Sequence, residues 1–157
     1  MISVYRKLYG ILGSGGSHSP YGIFMKYSRE YFENRSVGLI RAADTRMAGY
    51  FVAFTRMLRL KDPLLEAVRC QAYKKMIESS QDKKKSTKMK WAKNLLENEN
   101  MWKHLFTICQ AVYPALLVLR IADKSEAGMH ALYYHLRKCR EAMKKHINKL
   151  NRIKHVI

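Results

Sequence analysis

A chain of 157 residues is long enough for one domain with a substantial core, and its 48% hydrophobic and 11% aromatic content excludes a disordered tail. Thirty Lys and Arg against twelve Asp and Glu leave a net charge of +18. A field of that size repels like-charged copies and attracts polyanions, so nucleic acid is the expected partner, ahead of an anionic membrane or an acidic protein.

In chain order, residues 1–18 read as a flexible N-terminal segment. Arg6 and Lys7 interrupt the apolar stretch that a signal peptide would need, and Gly13 to Ser19 reads as a joint. Gly10 and Gly15 have the spacing of a phosphate-binding loop. Gly16 stands where the phosphate-binding Lys must be, so no nucleotide site is expected.

Residues 19–78 read as helical. Ser19 and Pro20 make a cap-plus-proline start, and Ile23, Phe24, Tyr27, Tyr31 and Phe32 share one face of a helix that should end near Asn34. Val37 to Ile40 is either one short edge strand or an extended linker. From Asp44 the apolar residues Met47, Tyr50, Phe51, Phe54, Met57 and Leu58 recur at helical spacing, with Asp44 as N-cap. Asp62 and Pro63 signal a second start, followed by Leu64, Leu65 and Val68.

Residues 79–98 read as a basic linker and a short helix, with a boundary in the polar stretch 78–86, which has no apolar residue and should be a solvated loop or frayed helix end. Residues 99–157 should form two long helices, about 100–122 and 126–150, joined by Asp123, Lys124 and Ser125 and packed as an antiparallel hairpin. The first carries Trp102, Leu105, Phe106, Cys109, Val112, Leu116 and Leu119; the second carries Met129, Leu132, Tyr133, Leu136, Met143, Ile147 and Leu150. Pro114 interrupts the first. The longest uncharged run, 105–119, falls short of the roughly 20 residues of a membrane-spanning helix, so no membrane is expected. The fold class is therefore mainly α, a helical domain with a C-terminal antiparallel helix hairpin and at most one short strand.

Two places concentrate positive charge. Lys83, Lys84, Lys85, Lys88 and Lys90, with Lys93, form one cluster, which reads as a phosphate-contact patch, a nuclear-import signal or a solvated lysine run. Arg137, Lys138, Arg140, Lys144, Lys145 and Lys149, continued by Arg152 and Lys154, oppose only Glu141 and form the densest positive face. Trp102 opens an apolar stripe and reads as a core anchor, with base stacking as the competing role. Cys70, Cys109 and Cys139 have no zinc-site spacing and read as reduced thiols. His135 and Cys139, four apart, are two ligands short of a metal site, so no metal and no cofactor are expected.

A family resemblance rests on several segments in order. The stretch Ser19-Pro20-Tyr21-Gly22-Ile23-Phe24-Met25-Lys26-Tyr27-Ser28 is followed by Ala43-Asp44-Thr45-Arg46-Met47-Ala48-Gly49-Tyr50-Phe51 and Met57-Leu58-Arg59-Leu60-Lys61. Further on come Trp102-Lys103-His104-Leu105-Phe106, Tyr113-Pro114-Ala115-Leu116, Leu119-Arg120-Ile121-Ala122-Asp123 and Tyr133-Tyr134. Together they resemble the middle of a hAT-family DNA transposase, over about residues 19–145. The resemblance implies the region where an RNase H-like fold is interrupted by a helical insertion, with all three metal-binding carboxylates outside this chain. It implies no catalysis by the chain itself, a nuclear location, and a phosphate contact by Arg46. The family carries Trp or Phe after Thr-Arg, where this chain has Met47, so stacking at that position is not carried over.

The expected function is thus a non-catalytic fragment or degenerate copy of a hAT-like transposase that binds DNA non-specifically through basic helices. The alternative is a helical docking or dimerisation module, self-associating or seated on an RNase H-like domain, with no direct DNA role. Neither reading has a small-molecule substrate.

Overall fold

A computed structural model describes residues 1–42, 48–122 and 128–154, with side chains through residue 144. The expectations placed on Asp44, Thr45, Arg46 and Met47, on the turn Asp123-Lys124-Ser125, and on the side chains of Lys145, Ile147, Lys149, Leu150, Arg152 and Lys154 lie outside the described residues. Eight helices and no strand are found among the described residues, so the mainly α class holds. The chain divides into two compact units, Met1–Trp102 and Lys103–Ile157.

In the first unit the N-terminal segment is not the loose arm that its glycines suggest. Helix α1 (Ile2–Leu12) places Tyr5, Leu8 and Leu12 on one face, and all three are buried. The joint that follows is also built in. Ser19 Oγ donates to the Gly16 carbonyl at 2.6 Å and accepts from the Gly22 amide at 3.3 Å, capping α2 (Pro20–Tyr31) as its sequence predicts. A Cβ at Gly22 would stand 2.1 Å from the Ser17 carbonyl oxygen, so only glycine lets the loop cross its own helix there.

α2 ends as expected near Asn34, through two left-handed residues, Glu33 and Asn34, with the Asn34 amide donating back to Arg29. The strand-like segment 37–40 is an extended linker. Its carbonyls are taken by side chains instead of a neighbouring strand: Ser28 Oγ donates to Val37 and Tyr5 OH to Ile40, each at 2.6 Å.

α3 (Gly49–Arg59) buries Ala53, Phe54 and Met57. The chain bends at Leu60 and resumes at once as α4 (Lys61–Arg69), whose Pro63, Leu64, Ala67 and Val68 are all buried. Asp62 therefore lies inside the first turn and is not the cap; its Oδ2 accepts from Tyr31 OH at 3.1 Å. α4 is the hub of this unit, touching α2, α3, α5 (Gln71–Glu78) and α6 (Lys83–Glu97).

The polar stretch 78–86 holds a break between helices at residues 79–82. Asp82 Oδ1 accepts from the amides of Lys84 and Lys85 at 2.8 and 3.3 Å and starts a 15-residue helix, α6 (Lys83–Glu97). Met89, Ala92 and Leu96 on its inner face are buried, and α6 packs on α1, α4 and α5. The lysine-rich spacing hid this face, because only one residue in three or four is apolar.

α7 (Glu99–Ala122) begins in the first unit, where Met101 and Trp102 are buried, and continues into the second. In the second unit α7 is followed by α8 (Met129–Lys154), the two long helices that the sequence predicts. Leu105, Cys109, Ala111, Val118 and Cys139 are buried there. Several residues assigned to the apolar stripes are not: Phe106, Met129, Tyr133 and Leu136 are 53%, 79%, 73% and 50% exposed. Among the described residues, α7 is the helix long and apolar enough to cross a membrane by length and composition, a test that core helices also pass.

Candidate nucleic-acid interface

α6 carries six lysines, Lys83, Lys84, Lys85, Lys88, Lys90 and Lys93, because its outer face needs no apolar residue once Met89, Ala92 and Leu96 are seated. Lys83, Lys84, Lys85, Lys88 and Lys90 are all exposed, and none is in an ion pair among the described residues. By contrast, Lys61 is neutralised by Glu99 at 3.0 Å and Arg69 faces Glu97 at 3.5 Å. The α6 cluster is thus a patch of uncompensated charge on a rigid element.

One side of this patch is a groove. Lys84, Lys88 and Trp91 stand at positions i, i+4 and i+7 and so share a face of α6. On α1, Lys7, Gly10 and Ile11 share a face in the same way, and Ser14 follows just beyond its end. The Lys7 ammonium lies 4.1 Å from the centroid of the Trp91 ring. Gly10, Ile11 and Ser14 share an open cleft of about 390 Å³ with Lys84, Lys85 and Lys88, and Ser19, Pro20, Asp82 and Met89 complete its walls. The two helices therefore run antiparallel, with the Lys7–Trp91 pair within one turn of the lysine-lined cleft. Asp82 is the acidic group lining it, and its carboxylate is already bonded to two backbone amides.

Trp91 is partly exposed, and its indole N–H makes no hydrogen bond among the described residues. The sequence reading passed over Lys7 and Trp91. The signal was the seven-residue step from Lys84 to Trp91, which becomes legible once 83–97 is one helix.

The second cluster lies in the other unit, on α8. Arg137, Lys138, Arg140 and Lys144 are exposed, with Glu141 the nearby carboxylate at 4.0 Å from Arg137 Nε. The Lys138 ammonium sits 5.1 Å from the Tyr134 ring centroid, and its contact with the Tyr134 hydroxyl raises its pKa.

Trp102 is not available for base stacking. Only 3% of it is exposed and its Nε1 donates to the Leu96 carbonyl at 2.7 Å, so the ring is a core anchor with its one polar atom satisfied. All three cysteines are free thiols, and burial pushes Cys109 up to about 11. No group of three or more His, Cys, Asp or Glu that could hold a metal occurs among the described residues. No family model matches the chain, and no curated protein and no solved structure matches it.

Proposed function

We propose that this chain binds nucleic acid through its phosphates, without catalysing a reaction, as a fragment or degenerate copy of a hAT-like transposase would. The observation that carries the reading is the row of exposed, unpaired lysines Lys83, Lys84, Lys85, Lys88 and Lys90 on one well-seated helix. Lysines on a long, rigid element release counterions when they meet a phosphate backbone, and that release drives association without regard to sequence. Arg137, Lys138, Arg140 and Lys144 supply a second such face on α8, and the reading extends to Lys145, Lys149 and Arg46 by sequence alone.

The transposase reading draws its support from the order of the Thr45-Arg46, Tyr113-Pro114 and Tyr133-Tyr134 motifs and from the helical character of the chain. It places the catalytic carboxylates outside the chain and the protein in the nucleus, with DNA as the partner. A second reading is favoured by one observation: Phe106, Met129, Tyr133 and Leu136 of the second unit expose large apolar side chains. Residues of that kind suit a docking or dimerisation module.

Fluorescence anisotropy with labelled duplexes of unrelated sequence tests the first reading. Dissociation constants of about 10⁻⁴ to 10⁻⁶ M, similar for every sequence, are expected at physiological salt. Absence of binding at about 50 mM salt would reject it and leave the docking module.

A further inference from the structure

We infer that the groove between α1 and α6 takes single-stranded nucleic acid, with one base stacked on Trp91 and the adjoining phosphates along Lys88, Lys84 and Lys85. This rests on the nucleic-acid reading above and narrows it to a substrate class and a place.

Three features of the groove carry the inference. The first is its order: Lys84, Lys85 and Lys88 line the cleft, and Trp91, with the Lys7 ammonium over its ring, follows within one further turn of α6. From Trp91 to Lys84 is seven residues of helix, about 10 Å at 1.5 Å per residue, which is the scale of a base and its next phosphates. Proteins that hold single strands combine these two elements, an aromatic face for a base and a cationic track for the backbone.

The second is width. The cleft between α1 and α6 holds about 390 Å³, too little for a duplex, whose paired bases and second backbone would stay outside it. A duplex reaches the tips of the α6 lysines; only an unpaired base reaches the ring of Trp91. Trp91 is partly exposed and one face of its ring carries the Lys7 ammonium, so a base stacks on that face by displacing Lys7.

The third is the floor. An added Cβ at Gly10 meets nothing within 4 Å, so the groove is open over that residue, in a helix where alanine would be intrinsically better.

Anisotropy with an oligothymidylate of about 12 nucleotides and with a duplex of the same length tests the inference. The parent should bind the single strand more tightly than the duplex, and the strand should quench tryptophan emission from Trp91, since Trp102 is buried. Trp91→Leu should weaken the single strand about 10-fold or more, abolish the quench and leave the duplex unchanged; Trp91→Tyr should restore most of the affinity. Gly10→Leu, which fills open space and favours the helix, should block the strand while the far-ultraviolet dichroism stays that of the parent. If folded Gly10→Leu and Trp91→Leu both bind the single strand as the parent does, the groove is not its seat and the inference is overturned, while duplex binding would leave the broader reading standing. If neither oligonucleotide binds the parent at about 50 mM salt, both fall together.

Discussion

The Trp102 indole N–H donates to the Leu96 carbonyl at 2.7 Å, across the break at Asn98 where α6 ends and α7 begins. On the solvent side, Lys61 bonds both oxygens of Glu99 and lies 5.7 Å from the Trp102 ring centroid. Trp102→Ala removes a buried ring and orphans a carbonyl, so urea unfolding should show a loss of about 3–5 kcal/mol. Trp102→Phe should cost less, about 1–3 kcal/mol, for the unsatisfied carbonyl alone. A neutral Trp102→Ala would mean that the ring is not an anchor.

The N-terminal helix should behave as core. Leu8 is fully buried, and Leu8→Ala should cost about 2–5 kcal/mol in the same measurement. Ser19→Ala removes the α2 cap and should cost about 1 kcal/mol. A loosely attached arm would show neither loss.

Alkaline pH should weaken the fold. Burial pushes the Tyr5 phenol up to about 12. Tyr73, buried with its hydroxyl donating to Met89, is raised further, again mainly by burial. A group whose folded pKa lies above its unfolded value stabilises fully below the unfolded value, near 10, and loses that contribution as pH climbs through the folded one. Urea midpoints should therefore hold steady to about pH 10 and fall between about 10 and 12. Tyr5→Phe should reduce the steepness of the fall, and a midpoint independent of pH in that window would contradict the burial of both phenols.

Much of this fold was legible in the sequence, for physical reasons that particular residues make plain. Ser19-Pro20, the end near Asn34 and the two long helices rest on local caps and strong periodicity, which survive without knowledge of neighbours. α1 was missed, and α6 was expected only as a short helix, because tertiary burial overrode weak local signals: glycines flank Leu12, and lysines outnumber the apolar residues that seat α6. The candidate site shared that fate. Its lysines were visible as a cluster, but the partnership of Trp91 with Lys7 is made by the packing of α1 on α6, 84 residues apart in their pairing, and has no local trace. Trp102 was the easier case: it opens an apolar stripe, and the core-anchor reading of it holds, while the competing stacking role does not.

If the second unit is instead a docking module, its exposed apolar residues carry the association. Replacing Met129 and Tyr133 by Ser should abolish any concentration-dependent sedimentation and leave nucleic-acid affinity unchanged. Apolar association should also persist or strengthen with sulfate, opposite to phosphate binding. Loss of duplex affinity in this variant with its dichroism intact would merge the two surfaces into one.

The two basic helices should contribute separately to duplex binding. Lys144, Lys145 and Lys149 replaced by Gln should weaken all sequences alike, and so should Lys84, Lys85 and Lys88 replaced by Gln. Each lost phosphate contact removes about one released counterion from the salt slope. A variant whose weakening depended on sequence would point to base reading at that helix.

The most direct test of the account is the affinity of the intact chain for duplex DNA measured from about 50 to 200 mM salt. Binding driven by the unpaired α6 and α8 cations should give a straight line of log affinity against log salt, with a slope of about −0.9 for each phosphate contacted. A steep negative slope that becomes shallower in both lysine-to-glutamine variants is the predicted result. A flat line, or a slope that neither variant alters, would contradict the claim that these helices bind nucleic acid through its phosphates.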